Sequence, residues 1–184
     1  MRIVDLRLDD EGAIQQVAAI LVESFATDWP DAWPDLESAL EEVRESFADG
    51  RISRVARDDD GMVLGWIGGI SQYHGRVWEL HPLVVRVGQQ SRGIGSALVA
   101  DLEECVRERG GLTITLGTDD ENRQTTLSGV DLFPEVWRHV AHIQNLKRHP
   151  FEFYQKQGYR IVGVIPDANG LGKPDILMAK SLVR

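Results

Sequence analysis

Cysteine is nearly missing from this sequence: among 184 residues, Cys105 stands alone. One thiol closes no internal disulfide and builds no cysteine-rich zinc site, so a reducing, cytoplasmic setting is expected. No apolar run approaches the roughly 20 residues that cross a bilayer. Charge follows Met1-Arg2-Ile3-Val4-Asp5 where a secretion signal would continue with an apolar core, so neither membrane insertion nor export is expected. Positive charge is also short: 20 Lys and Arg stand against 29 Asp and Glu, for a formal net charge of -9. An acidic chain repels the phosphate backbone of nucleic acid and attracts cations. Repeats, low-complexity tracts and Ser/Gly/Pro linkers are lacking too, so a single domain over residues 1–184 is expected, long enough to bury one core.

What is present is an alternation of helical and extended periods. Arg2 to Leu8 alternates as a short strand, after which Ile14, Val17, Ala18, Leu21 and Phe25 recur at helical spacing and define one apolar face. Pro30 and Pro34 stop that helix. Asp35 can cap a second helix whose buried face would be Leu36, Leu40, Val43 and Phe47, ending near Gly50. Arg51 to Arg57 and Met62 to Tyr73 read as strands joined by the polar turn Asp58-Asp59-Asp60-Gly61, and Arg76 to Val87 continues the sheet. A helix is expected from Gly93 to Glu108, with Ile94, Leu98, Leu102, Cys105 and Val106 inward and Asp101, Glu103, Glu104, Arg107 and Glu108 outward. Cys105 therefore reads as core, not as a nucleophile.

Leu112 to Gly117 is a strand that delivers Thr118-Asp119-Asp120 at its C-terminal end, where sites commonly lie. From Glu121 to Leu146 the pattern is weak, with a helical stretch from Pro134 that aligns Val136, Val140 and Ile143. A short helix from Pro150 to Gln157 and strands from Tyr159 to Ile165 and Ile176 to Leu182 complete a mixed α/β class of order β, α, α, β, β, β, α, β, α, β, β.

Trp78-Glu79-Leu80-His81-Pro82-Leu83-Val84-Val85 is a strand with a proline in its interior. Proline gives nothing to a ladder, so Pro82 implies an edge or a bulge, and a bulge frees backbone N–H groups near Leu83. The turn Gln90-Ser91-Arg92-Gly93-Ile94-Gly95-Ser96 follows. Its two glycines let backbone approach a ligand where a helix begins, and the unpaired N–H groups and dipole of that helix suit an anion. No Gly-Lys-Ser/Thr follows, which excludes a Walker A loop, and Ser96-Ala97-Leu98 lacks the third glycine of a dinucleotide fold.

Glu79 and His81 share a strand face. Each is a candidate base, against the ordinary reading of Glu79 as a solvated or salt-bridged carboxylate. Asp28-Trp29-Pro30-Asp31-Ala32-Trp33-Pro34-Asp35 interleaves carboxylates with indoles, and Asp119, Asp120 and Glu121 end a strand. That combination suits a polyammonium ligand as well as it keeps a surface solvated. His139, His142 and His149 lack a His-Glu-x-x-His or cysteine partner, so no metal is expected.

A bulged strand, then Gln-x-x-Gly-x-Gly, then a helix resembles the acyl-CoA pyrophosphate loop of the GCN5-related N-acetyltransferase superfamily. Within it, Trp78 to Val85, Leu116-Gly117-Thr118-Asp119-Asp120, Thr125-Thr126-Leu127-Ser128, Ile143-Gln144-Asn145-Leu146, His149-Pro150-Phe151-Glu152-Phe153-Tyr154, Gly158-Tyr159 and Lys173-Pro174-Asp175 are similar to the enterococcal type of aminoglycoside 6'-N-acetyltransferase. The match is specific from Leu64 to Ala179; before that it is confined to the helices and Trp29-Pro30.

The resemblance implies a mixed central sheet with a splayed, bulged strand pair and flanking helices, and acetyl-CoA as cosubstrate. It implies that Leu83, Val84, Val85, Gln90, Ser91, Arg92, Gly93, Ile94, Gly95, Ser96 and Asn145 bind that cosubstrate, with backbone N–H near Leu83 polarising the thioester. Tyr154 would protonate the departing thiolate, where the ordinary reading is packing beside Phe151 and Phe153. Trp29, Trp33, Tyr73, Glu79, Asp119 and Asp120 are expected to meet an aminoglycoside acceptor, in a homodimer. The alternative acceptors are a polyamine, a small-metabolite amine or a protein amine. The alternative class is an acyl-CoA binder without turnover, against which Glu79, His81 and Tyr154 speak.

Overall fold

The computed structural model describes residues 1–27 and 29–184 and divides into two compact units, Met1–Ile114 with Leu182–Arg184, and Thr115–Ser181. Asp28, within the carboxylate and indole run, lies outside the described residues.

In the first unit, β1 (Arg2–Asp5), β2 (Arg51–Arg57), β3 (Val63–Gln72) and β4 (Val77–Val85) lie in that order, each antiparallel to the next. Helices α1 (Glu11–Phe25) and α2 (Leu36–Glu45) precede β2, and α3 (Ile94–Glu108) follows β4. Both early helices start on an aspartate: Asp10 Oδ1 accepts from the Ala13 N–H at 3.0 Å and Asp35 Oδ1 from the Ser38 N–H at 2.9 Å. Each cap fills one of the donors that a helix start leaves open. The first cap also explains why β1 is shorter than its alternation predicts, since the chain turns at Leu8 and Asp9 to reach Asp10.

Ile14, Val17, Ala18 and Leu21 of α1, Ala39 and Val43 of α2, and Val55, Val63, Trp66 and Val84 of the sheet form one buried cluster. Each large aliphatic side chain so buried contributes about 1.5–3 kcal/mol by leaving water. The Trp66 Nε1–H donates to Ser53 Oγ at 2.9 Å, which offsets the cost of burying that donor. Leu36, expected in this core, is 45% exposed because it opens α2 and Ala39 takes the inward position. Glu103, expected outward, is buried, and its carboxylate lies 3.5 Å from the Arg107 guanidinium one turn on, which supplies the opposite charge. Cys105 is half-buried, and burial pushes its thiol above the ordinary cysteine range, away from nucleophilic use.

Ile67 pairs with Leu83 and Gly69 with Leu80, so one residue of β3, Gly68, faces two of β4, His81 and Pro82. Of the edge and the bulge that Pro82 allowed, the bulge is what forms. A Cβ on Gly68 would overlap the His81 carbonyl oxygen, so only glycine lets the bulged backbone come this close.

In the second unit, β7 (Asp175–Ser181) lies between β5 (Thr113–Asp119) and β6 (Arg160–Ile165) and is antiparallel to β6. Two short helices, α4 (Val136–Ala141) and α5 (Phe151–Lys156), come between β5 and β6 in the chain. The apolar stripe Val136, Val140 and Ile143 is not a core face: no α4 residue is buried, whereas Leu132 just before it is. Six residues are too few turns to present a face. Among the described residues no helix is long and apolar enough to cross a membrane.

Gly68→Ala is expected to lose about 3 kcal/mol in urea denaturation through forced overlap. Gly12→Ala is expected to gain about 0.5–1 kcal/mol, because an added Cβ early in α1 meets nothing nearer than Asp10 Oδ1 at 3.8 Å. Equal midpoints for the two variants would show that the bulge does not need its glycine.

Candidate active site

Along β4, buried Trp78, Leu80, Pro82 and Val84 alternate with the more open Glu79, His81, Leu83 and Val85. Glu79 and His81 thus share a face, as their spacing predicts. Their surroundings differ. Glu79 is half-buried, and its Oε2 accepts a hydrogen bond from Gln72 Nε2 at 2.6 Å. His81 is exposed, with Nε2 4.0 Å from Glu42 Oε1 and its ring centre 6.2 Å from that of Trp33. Trp33 packs edge-on against Phe25 at 4.7 Å, and Phe25 in turn meets Trp29 at 5.6 Å. The run after α1 therefore folds one of its two indoles beside His81. The Trp29 Nε1–H is buried without a hydrogen-bond partner among the described residues. Tyr73 is 74% exposed in the turn that joins β3 to β4.

Beyond β4, Ser91 at φ 61° and Gly93 at φ 83° both take left-handed backbone. Glycine does so freely, which lets the chain reverse into α3. Gly93 is the N-cap of α3, no side chain caps that helix, and its first turn carries no acidic residue. The N–H groups at the start of a 15-residue helix, with no carboxylate in its first turn, fit an anion such as a pyrophosphate. Gln90, Ser91, Arg92 and Gly93 are exposed, Gly95 and Ser96 half-buried, and buried Ile94 anchors the turn. Gln90 Nε2 reaches back to the Val85 carbonyl at 3.4 Å.

In the second unit, two expected site residues are held by hydrogen bonds of the fold. Asp120 is fully buried, and its carboxylate accepts from the Gln124 N–H at 2.7 Å, the Thr125 N–H at 2.8 Å and Thr125 Oγ1 at 2.7 Å. Those three donors tie the carboxylate to the loop after β5, which it closes. Asn145 is largely committed to the backbone of His149. Its Oδ1 accepts from the His149 N–H at 2.7 Å and its Nδ2 donates to the His149 carbonyl at 2.9 Å, which leaves one amide hydrogen uncommitted. Asp119 is half-buried and accepts from Asn169 Nδ2. Tyr154 is buried, edge-on to Phe153 at 5.0 Å and Tyr159 at 5.8 Å. Burial pushes its phenol up, so it packs as an aromatic and still holds its proton at neutral pH.

Sequence reasoning missed Gln72 and Glu42. Hairpin register could have found Gln72, diagonal to Glu79 across β3 and β4. Nothing local marks Glu42. His149 is buried, its Nε2 3.1 Å from the Asp119 carbonyl while its Nδ1 accepts from the Phe151 N–H at 3.3 Å. Those partners require a neutral ring protonated on Nε2. Among the described residues, no group of three or more His, Cys, Asp or Glu could hold a metal ion.

A carboxylate and an imidazole on a bulged strand, followed by an uncapped glycine turn at a helix start, are the parts of a group-transfer enzyme with an anionic donor. The chain belongs to the acetyltransferase (GNAT) family, whose model matches residues 14–126. It is similar to a solved aminoglycoside 6'-N-acetyltransferase complexed with coenzyme A, at 43% identity and a TM-score of 0.91, over 100% of this chain and 98% of that one. The aminoglycoside 6'-N-acetyltransferase from Enterococcus faecium is also 43% identical, with a TM-score of 0.89 over 100% and 98%. An aminoglycoside 6'-acetyltransferase type Ii is 37% identical, with a TM-score of 0.75 over 100% and 99%. No curated protein matches the chain. The similarity thus includes the first sixty residues, where the motifs are sparse.

Burial, the main influence, holds His149 below the ordinary histidine value of 6.5, against the opposing Asp119 carbonyl and the charges of Asp120 and Asp119. The unfolded chain then binds a proton that the folded ring refuses, so His149's contribution is full above pH 6.5 and falls as pH drops below it. The lowered carboxyls of Asp10 and Asp35 act only below 3.8, a separate window. Urea midpoints at about pH 5.5 and about pH 7.5 are expected to differ less in His149→Asn than in the unchanged protein. An equal difference would contradict the assignment.

Proposed function

We propose that this protein transfers the acetyl group of acetyl-CoA to the 6'-amine of aminoglycosides. The observation that carries the reading is the β4 bulge, with Glu79, His81 and Leu83 along one open face, in a chain 43% identical over its length to aminoglycoside 6'-N-acetyltransferases. Residues 1–184 are proposed to act as one catalytic domain, in the cytoplasm.

Acetyl-CoA supplies an activated acetyl group as its thioester. The turn from Gly93 to Ser96 at the start of α3, with Gln90, Ser91 and Arg92, is assigned to its pyrophosphate, and the backbone of Leu83, Val84 and Val85 to its pantetheine arm and carbonyl. Asn145 adds its one remaining amide hydrogen. Glu79 or His81 takes the proton that the acceptor ammonium must lose before its nitrogen can attack. The new N–C bond forms and the C–S bond breaks, with the Leu83 N–H polarising the carbonyl, Tyr154 giving its proton to sulfur, and the second proton shed by the acylated nitrogen restoring the phenol.

Glu79, Asp119, Trp29, Trp33 and Tyr73 are assigned to the acceptor, and the net charge of -9 draws a polycation at long range. Acetylation removes one ammonium, which weakens the product's hold on anionic targets and makes resistance a consequence of the chemistry. Acidity also suits a polyamine, so the assay must separate the two. A homodimer is proposed as well, supported by the exposed apolar side chains Phe133, Trp137, Leu146 and Leu171 of the second unit.

Thiol release from acetyl-CoA is expected with 6'-amino aminoglycosides, less so as salt rises, and not with 6'-hydroxyl analogues, spermidine or a basic peptide. Turnover confined to spermidine or peptide would move the acceptor to that class. Glu79→Gln and Tyr154→Phe are expected to lower kcat about a hundredfold while calorimetric acetyl-CoA binding holds; parallel loss of both would mark structural roles. Light scattering at micromolar protein is expected to give twice the chain mass, and a stable monomer would contradict the dimer.

A further inference from the structure

Of the two candidate bases on β4, only one is held by a hydrogen bond. Gln72 ends β3 and Glu79 is the third residue of β4; Ile70 pairs with Glu79 and Gln72 with Val77, so Gln72 and Glu79 are diagonal cross-strand neighbours. A long side chain spans that diagonal. A carboxylate accepts and cannot donate, which fixes the Gln72 amide with its nitrogen toward Glu79 Oε2, at 2.6 Å. Glu79 Oε1 has no hydrogen-bond partner among the described residues. His81, by contrast, is exposed and has Glu42 at 4.0 Å, beyond hydrogen-bond distance.

We infer that Gln72 is the positioning residue of the reaction: by holding Oε2 it fixes the rotamer of Glu79 and turns Oε1 to the acceptor amine or its water. The inference rests on the acetyl-transfer reading above, and it selects Glu79 over His81 as the group prepared to receive the proton. A glutamate side chain free to rotate would have to be ordered in each turnover, and the Gln72 amide removes that cost in advance.

The test is a double-mutant cycle with kanamycin A, which carries a 6'-amine, as acceptor. Gln72→Leu keeps the bulk and loses the donor; kcat is expected to fall about tenfold while KM for acetyl-CoA moves less than about twofold. In a Glu79→Ala background the same substitution is expected to cost nothing further, because its route to the reaction is gone. Losses that multiply would overturn the inference, since Gln72 would then act independently of Glu79. A second readout needs neither turnover nor a foldable Gln72 variant. The Gln72 side-chain amide proton, followed by NMR, is expected downfield in the unchanged protein and upfield in Glu79→Ala; a proton that stays put would overturn the pairing. Should no amine of the panel release thiol, the functional reading fails by itself and the NMR result still decides the pairing.

Discussion

Two backbones meet at Gly68 closer than any side chain allows, and the arrangement of β4 follows from that contact. The His81 carbonyl occupies the space a Cβ would take, and the extra residue of β4 is absorbed there. The register of β4 against β3 changes by one residue across His81 and Pro82, yet the buried row Trp78, Leu80, Val84 and the open row Glu79, Leu83, Val85 both continue. A proline at the bulge forfeits no ladder bond, because its nitrogen has no hydrogen to give. Glycine on one strand and proline on the other are therefore two halves of one device. Its product is a strand whose core side stays packed while its open side presents ionisable groups and an interrupted ladder.

What the open side can do depends on neighbours that belong to other elements. Glu79 is tethered from β3 by an amide, and His81 stands beside α2 and the indole of Trp33 with no hydrogen bond among the described residues to fix it. Two titratable groups two residues apart thus have different freedom. A group held before the substrate arrives loses little entropy on reacting, whereas one that rotates in solvent must be ordered each time. The hairpin, which is needed for the fold in any case, supplies that ordering to the carboxylate.

Much of this was legible in the sequence because it is local. Asp35 reads as a cap from its place before a helical period, and Pro82 as an edge or a bulge from one residue in an extended run. Residues whose meaning depends on a partner far along the chain were opaque. Nothing around Gly68 reveals that His81 presses on it. Nothing in Thr118-Asp119-Asp120 reveals that the second carboxylate turns inward to the backbone of Gln124 and Thr125 while the first stays partly open. Glu103 reads as outward by helical period, yet it is buried with the Arg107 guanidinium on the next turn supplying opposite charge. Local rules located the elements; the fate of each polar side chain was decided by which donors the fold brought to it.

The second unit shows how a motif can mix two kinds of residue. Asp120 ties the loop after β5, Asn145 closes the turn up to His149, and His149 links the Asp119 carbonyl to the start of α5. All are polar, and each has most of its hydrogen-bonding capacity met by backbone. A fully buried carboxylate with three donors is hard to turn toward a ligand, since displacing any donor would leave an N–H or hydroxyl unpaired in the interior. Asp119 keeps an oxygen not claimed by Asn169, and Tyr154 keeps its proton because burial disfavours the phenolate. In the reading proposed for this unit, chemistry falls to groups whose hydrogen-bonding capacity the backbone has not already met.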